Sequence, residues 1–136
     1  MYKIEKQKYG LKLTLSGDMI ESEIVELTDD LKLLLGSITG SFSILIDARE
    51  MMTMDKSVVH LAAECQRVVK DGGRQHTAFV LNSPILKDQI KRMSVETSSA
   101  DAIRYIFADK TDEWEKVAMD WLLHGIEPDQ ELTVSK

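Results

Sequence analysis

Cysteine, proline and long apolar runs are scarce in this chain of 136 residues, and each scarcity excludes a class of protein. Cys65 is the only cysteine, so an internal disulfide is impossible and a disulfide-stabilised scaffold is excluded. No apolar run approaches the length of a membrane span, and the first residues do not resemble a signal peptide. With two prolines and no low-complexity segment, the chain is expected to be a cytoplasmic globular protein.

Basic residues are in the minority. The chain has 17 lysines and arginines against 23 aspartates and glutamates, which gives a net charge of −6. This charge argues against general binding to nucleic acids or anionic membranes, and no run of basic residues offsets it. Hydrophobic residues make up 43% of the chain and charged residues 29%, as in ordinary globular domains. At this length the simplest organisation is one domain.

Helices and strands alternate along most of the chain. Residues 2–6 and 11–15 alternate between apolar and polar side chains, which predicts a hairpin with Gly10 at its turn. Apolar residues at helical spacing predict helices over 21–35, 55–71, 83–93 and 111–124. Continuous apolar runs predict buried strands over 42–46 and 77–81, and alternation predicts a further strand over 102–108. The order ββαβαβαβα predicts an α/β fold with a mainly parallel, mixed sheet of about five strands. We expect the domain to span residues 1–125 and to be followed by a flexible tail over 126–136.

Five short stretches follow one another in a characteristic order and spacing. They are Leu13–Gly17 at the end of a strand, Ile44–Asp47 in a buried strand, Asp55–Ser57 at a helix start, Gly72–Arg74 at a glycine turn, and Ala118–Leu122 in the last helix. Together they resemble the STAS domain of anti-sigma-factor antagonists, and most closely its bacterial STAS/SEC14-like branch. The resemblance covers residues 10–123. It implies a single STAS-like domain that regulates by binding and is not an enzyme.

The stretch Asp55–Ser57 departs from the family pattern that it resembles. The family often has Asp-Ser-Ser-Gly here, and a partner kinase phosphorylates the serine that directly follows the aspartate. In this chain Lys56 occupies that position and Ser57 comes next. Ser57 is therefore a candidate phosphoacceptor at a helix amino terminus, where backbone N–H groups favour a phosphate. The alternative is that the side chain of Asp55 or Ser57 only caps the helix.

Methionines are concentrated between the central strand and the next helix. Met51, Met52 and Met54 fall within four positions, and methionine is flexible enough to adapt to varied partners or apolar ligands. We expect at least one of them to face the surface; the alternative for the other one or two is that they turn inward and complete the core. Together with Asp55 and Lys56, they form the predicted contact site for a partner or ligand.

Enzymatic and metal chemistry find little support in the sequence. The three histidines, His60, His76 and His124, have no spacing suited to a metal, so we predict neither a metal nor a cofactor. Cys65 falls on an apolar helical face and is expected in the core. Asp47 ends an apolar run and is expected to accept hydrogen bonds from backbone donors at a strand end. No nucleophile elbow, phosphate-binding loop or dinucleotide fingerprint is present.

Two functions from different classes remain open. The leading hypothesis is a non-catalytic regulatory or interaction module that binds a protein partner through residues 51–57 and the start of the following helix. By the resemblance, that partner is a kinase or another regulatory factor. The alternative is a carrier or sensor of a small apolar or anionic molecule. A homodimer through a sheet edge or helix face also stays open, although Arg104 lies on the strand expected at an edge, where charge discourages pairing.

Overall fold

A computed structural model describes residues 1–133, which form one five-stranded sheet and its helices. The strands are β1 (Tyr2–Gln7), β2 (Gly10–Gly17), β3 (Phe42–Met51), β4 (Arg74–Leu81) and β5 (Ile103–Phe107). The helices are α1 (Glu21–Leu35), α2 (Lys56–Asp71), α3 (Pro84–Glu96), α4 (Trp114–His124) and α5 (Gln130–Thr133). None of these helices is both long enough and apolar enough to cross a membrane.

The sheet order follows the chain order, β1-β2-β3-β4-β5, and this determines where the helices lie. β1 pairs antiparallel with β2, and each later pair is parallel. Right-handed crossovers that always step in the same direction place their helices on one face of the sheet. Accordingly α1, α2 and α3 cover one face, and α4 covers the other. The α/β architecture and the mainly parallel five-stranded sheet are thus confirmed.

Two apolar cores result, one on each face of the sheet. Because side chains alternate along a strand, neighbouring residues of β4 contribute to different cores. The larger core, beneath α1–α3, contains strand residues Leu11, Leu13, Ile44, Phe79 and Phe107. The smaller core, beneath α4, contains Leu45, Ala78, Val80, Ile106 and Trp121.

Some element boundaries differ from the sequence prediction. β3 continues past the predicted end at residue 46 to Met51, because it remains paired with β2 up to Gly17. Met51 therefore ends a strand and does not lie in a loop. α3 extends to Glu96, since the Ser94 hydroxyl donates to the Lys91 carbonyl within the helix and leaves its turn intact.

The chain after α4 lies along the edge strand β5. Arg104 of β5 donates two hydrogen bonds to the Glu127 carboxylate from Nε, of 2.6 and 3.0 Å, and its guanidinium lies 4.3 Å from the centre of the Trp121 ring. α5 contacts β5, and the Lys87 ammonium donates to the Thr133 carbonyl. The predicted tail over 126–136 thus contains a short helix in its described part. Its flexibility stays a prediction, and residues 134–136 lie outside the described residues.

Candidate binding surface and cavity

The predicted contact site lies at the carboxyl end of β3. Because β2, β3 and β4 are parallel, the amino termini of α1, α2 and α3 lie at this same edge of the sheet, where ligands commonly meet α/β folds. Met52 is 60% exposed, whereas Met51 and Met54 are buried at 8% and 7%. The prediction that at least one methionine faces the surface is therefore confirmed for Met52. Lys56, in the first turn of α2, is exposed.

Hydrogen bonds hold the backbone of this segment at both ends. The Met52 N–H donates to the Gly17 carbonyl at 3.0 Å, which joins the segment to β2. The Gln89 side chain of α3 accepts from the Met54 N–H at 2.9 Å and donates to the Met54 carbonyl at 2.8 Å. The exposed Met52 is thus presented on a backbone that two other elements position.

The amino terminus of α2 lacks a side-chain cap. Asp55 occupies the N-cap position, and its carbonyl accepts from the Val58 and Val59 N–H groups. Its carboxylate makes no capping hydrogen bond, and the first turn contains no acidic residue. The capping interpretation is therefore wrong for Asp55. Ser57 is exposed in the same turn.

Other exposed apolar residues occur at the same edge of the sheet. Ile20 is 53% exposed just before α1, and Ile85 is 65% exposed in the first turn of α3. Each follows a parallel strand, as Met52 does. With Met52, this edge of the sheet therefore presents three exposed apolar side chains. The sequence reading missed Ile20 as a surface residue because it completes the apolar stripe of α1.

Asp47 accepts a hydrogen bond from a backbone donor as predicted, from the Arg49 N–H at 3.2 Å, but not at a strand end. It lies within β3 and is buried, and its carboxylate accepts from Arg49 Nε and from the second Arg49 terminal nitrogen, each at 2.9 Å. Burial alone would raise the pKa of Asp47, but the hydrogen bonds and charge of Arg49 outweigh it, and the pKa is lowered. The Arg49 guanidinium also lies 4.2 Å from the centre of the Trp114 ring. The pair therefore joins β3 to α4.

A cavity of about 70 Å³ lies between the sheet and the layer of α1, α2 and α3. Met51 and Met54 line it beneath the exposed segment, and the remaining lining is almost entirely apolar. Three polar side chains interrupt that lining, Gln66 of α2 and Arg74 and Thr77 of β4, and none is more than 9% exposed. Buried polar side chains in an otherwise apolar cavity wall are thus the most unusual feature of this region. They lie below the surface segment that the sequence predicted as the contact site.

Gln66 and Arg74 were not recognised as site residues from the sequence. Gln66 falls on the apolar stripe of α2, and a polar residue on such a stripe could have indicated a buried polar side chain. Arg74 is harder to place, because the pairing of Phe42 with Arg74 and of Ile44 with Thr77 leaves one extra residue in β4. Such a bulge reverses the alternation of side chains. Simple alternation would have placed Arg74 on the opposite face of the sheet.

Within the described residues, Cys65 and His76 lie on opposite faces of the sheet and are not brought together. Cys65 also lines the cavity, and burial raises the pKa of its thiol, which disfavours the nucleophilic thiolate. His76 lies on the other face of the sheet, with its ring centre 4.3 Å from that of Trp121. Among residues 1–133, no group of three histidine, cysteine or acidic side chains is placed to hold a metal ion.

The solved structures that are similar to this fold include two of SpoIIAA. The anti-sigma factor antagonist SpoIIAA in its unphosphorylated form has a TM-score of 0.55 and 13% identity, covering 85% of this chain and 96% of that one. The Bacillus cell fate determinant SpoIIAA in its phosphorylated form has a TM-score of 0.57 and 15% identity, covering 86% and 99%. No protein-family model and no curated protein matches the chain. At these identities the likeness shows the fold alone, and the chain is a domain with the STAS-like fold that its sequence resemblance predicted.

Proposed function

We propose that this protein is a non-catalytic regulatory module that binds a protein partner through residues 51–57 and the amino terminus of α2. The observation that carries the proposal is the exposed Met52 on a backbone held by Gly17 and Gln89. A fixed backbone lowers the conformational entropy that binding must overcome. Ile20 and Ile85 supply further apolar surface at the same edge.

The chemistry of this surface indicates what the partner presents. Met52 offers a flexible apolar contact, and Lys56 adds a positive charge beside the N–H groups of the first turn of α2. A partner with an apolar side chain next to an acidic group would complement both. The similar solved structures are of an anti-sigma factor antagonist, which supports a kinase or another regulatory factor as the partner class.

Substituting glutamate for Met52 or Lys56 tests the proposal, since it adds a negative charge or reverses a positive one at this surface. We expect Met52→Glu and Lys56→Glu each to weaken partner binding by about tenfold or more, as for residues at the centre of an interface. Binding is measured by pull-down from the source organism followed by titration with the purified partner. Leu33→Glu is the matched control, because Leu33 is 79% exposed near the carboxyl end of α1, at the opposite edge of the sheet. Equal binding by all three variants would contradict the proposal.

Phosphorylation of Ser57 is a separate part of the proposal. Its hydroxyl is exposed in the first turn of α2, where the helix dipole and Lys56 would stabilise a phosphate. Mass spectrometry of the protein after treatment with the partner kinase should find phosphate on Ser57. A kinase-treated sample in which Ser57 is unmodified would remove the phosphorylation step and leave the binding proposal standing.

The cavity supports a second candidate function, a carrier or sensor of a small apolar or anionic molecule. Internal apolar cavities can bind small ligands, and this one has Met51 and Met54, both adaptable side chains, beneath the exposed segment. Native mass spectrometry of the freshly purified protein should show a bound small molecule that denaturation releases. A mass equal to that of the chain alone in every preparation would count against the carrier function.

A further inference from the structure

We propose that this protein forms a symmetric dimer in which β1 pairs antiparallel with β1 of a second copy, with Ile4 at the twofold axis. The axis is perpendicular to the sheets, so the two sheets join into one. The proposal names a partner for β1, an edge strand whose outer side pairs with no strand of residues 1–133. It goes beyond the proposed function and does not rest on it, because residues 51–57 lie outside β1.

The backbone of β1 offers unpaired groups on its outer side. The Met1 amino group donates to the Ser16 carbonyl at 2.8 Å, and the Ser16 N–H donates to the Met1 carbonyl at 2.9 Å. Such hydrogen-bonded pairs alternate along an antiparallel ladder, and the β1–β2 register is unbroken. The backbone groups of Tyr2, Ile4 and Lys6 therefore point away from β2. An edge of this kind is a template for a further strand.

The charges on β1 select one register for that further strand. Lys3 and Glu5 lie on the same face of the sheet and pair within the chain at 3.4 Å. With the axis at Ile4, Lys3 of each copy lies opposite Glu5 of the other. An axis at Lys3 would set two lysines opposite each other, and an axis at Glu5 would set two glutamates there. Unlike charges directly opposite each other stabilise a strand pair and like charges destabilise it.

The other face of the same strand pair brings apolar side chains together. Tyr2 and Ile4 pack against the larger core, and Leu33 of α1 lies beside them with 79% of its surface exposed. In the dimer, Ile4 of the two copies meet at the axis, which removes apolar surface from water. Lys6 then lies opposite Tyr2 of the second copy, whose hydroxyl donates to the Asp30 carboxylate at 2.6 Å. Both faces thus oppose complementary groups.

These observations favour a second copy over the strand of another protein. Backbone groups alone accept any strand, whereas the order of Lys3, Ile4 and Glu5 makes β1 complementary to itself. The opposite edge, β5, is covered by α5 and by the Arg104–Glu127 hydrogen bonds. A twofold contact that uses the same surface on both copies closes at two subunits. The assembly is therefore a dimer and not a growing sheet.

Sedimentation velocity of the full chain over a dilution series tests the proposal by measuring the Kd of the dimer. We expect Lys3→Glu and Glu5→Lys each to raise this Kd by about tenfold or more, because each replaces two opposed unlike pairs with like ones. The two variants change the net charge in opposite directions, so net charge cannot explain both effects. Lys91→Glu is the matched control, since Lys91 is exposed on α3, and it should dimerise as the wild type does.

Mixing the two variants tests the register itself. In a mixed dimer, the Lys3→Glu copy carries acidic side chains at both positions and the Glu5→Lys copy carries basic ones. Every opposed pair is then of unlike charge. We expect an equimolar mixture to dimerise at least as strongly as the wild type, and the double variant Lys3→Glu/Glu5→Lys to regain wild-type association. A purely structural role of these side chains would not produce such rescue.

Hydrogen exchange followed by NMR locates the contact. The Ile4 and Lys6 N–H groups should exchange more slowly at concentrations above the Kd than after dilution, because they donate to the second copy only in the dimer. The Lys3 and Glu5 N–H groups should change less, because they already point toward β2. Leu33→Glu should weaken self-association and leave partner binding through Met52 and Lys56 intact, which keeps the two surfaces distinguishable.

Three results would overturn the proposal. The first is a chain that sediments as a monomer at every concentration. The second is a dimer that both charge variants leave unchanged, or that their mixture does not restore, since the contact would then lie elsewhere. The third is an Ile4 N–H that becomes protected only when another protein is added, which would assign the β1 edge to a foreign strand. None of these results affects the partner-binding proposal, whose test measures Met52 and Lys56.

Discussion

Gln89 lies outside the segment 51–57, yet its amide hydrogen-bonds both backbone groups of Met54. Truncating it leaves a partly buried N–H and C=O without partners. We therefore expect Gln89→Ala to lower the free energy of unfolding by about 1–2 kcal/mol, the usual cost of leaving such groups unpaired. Urea denaturation measures the change, and hydrogen exchange at Met54 should become faster than in the wild type.

Asp88 provides the control for this prediction, because it is the preceding residue of α3, exposed and free of ion pairs among the described residues. Asp88→Ala should change stability by no more than about 0.5 kcal/mol, as surface substitutions generally do. If both variants unfold at the same urea concentration as the wild type, the Gln89 bonds do not hold the segment.

The methionines show how far single residues can be predicted. Their concentration predicted an exposed member, and Met52 is exposed. The sequence could not tell which of the three it would be, since that depends on where β3 ends. The polar residues after Ile46 suggested an early end, but pairing with β2 carries the strand to Met51. Backbone pairing with a neighbouring strand overrode the local pattern.

At the level of β3, the Asp47–Arg49 pair predicts acid sensitivity. The pKa of Asp47 is lowered in the folded state, because Arg49 outweighs the effect of burial. The stabilisation is therefore present above the unfolded aspartate pKa of about 3.9 and is lost as the pH falls through the lower folded value. We expect the free energy of unfolding to decline in that acidic window, and Asp47→Asn to reduce the slope. Urea denaturation over a series of pH values measures this.

Asp112→Asn is the control for the pH series, since Asp112 is exposed before α4 and has no ion pair within residues 1–133. It should keep the acid dependence of the wild type. At neutral pH Asp47→Asn should also be the less stable of the two, because it leaves the Arg49 guanidinium without its carboxylate. An unchanged slope in Asp47→Asn would show that other carboxylates cause the acid sensitivity.

Elements were easier to predict than the irregularities within them. The alternating and helical patterns recovered the order of strands and helices, and the bounds of α1 agree with the prediction. Bulges in the β2–β3 and β3–β4 pairings were not predictable, because one inserted residue leaves no mark on a short apolar run. The second of these bulges determines which face Arg74 occupies. The most unusual side chain of the cavity was therefore the least accessible to sequence reasoning.

At the scale of the whole molecule, topology followed from a general rule and the cavity did not. Consecutive parallel strands with right-handed crossovers leave little choice of sheet order for this sequence. The cavity between the sheet and the helices depends instead on how side chains from seven elements pack together. These elements are the strands β2 through β5 and the helices α1 through α3. Sequence patterns specify which residues are inside, and they do not specify how completely those residues fill the space.

The chain that follows α4 predicts a property of the molecule in solution. β5 is an edge strand, and unprotected edges offer backbone groups to other copies. The contacts of α5 with β5 and the Arg104–Glu127 hydrogen bonds cover this edge. We expect a chain that ends at Gly125 to associate more strongly than the full chain at equal concentration. Sedimentation velocity over a dilution series measures the difference.

A chain that ends at Thr133 is the control, because it keeps the Glu127 carboxylate and α5. It should sediment as the full chain does, which would assign the effect to residues 126–133. Glu127→Ala in the full chain should have a smaller effect than the truncation, since Glu127 is 62% exposed and exposed ion pairs contribute little. If the chain ending at Gly125 sediments as the control does, the edge of β5 is protected by Arg104 itself, whose charge would then be sufficient to oppose pairing.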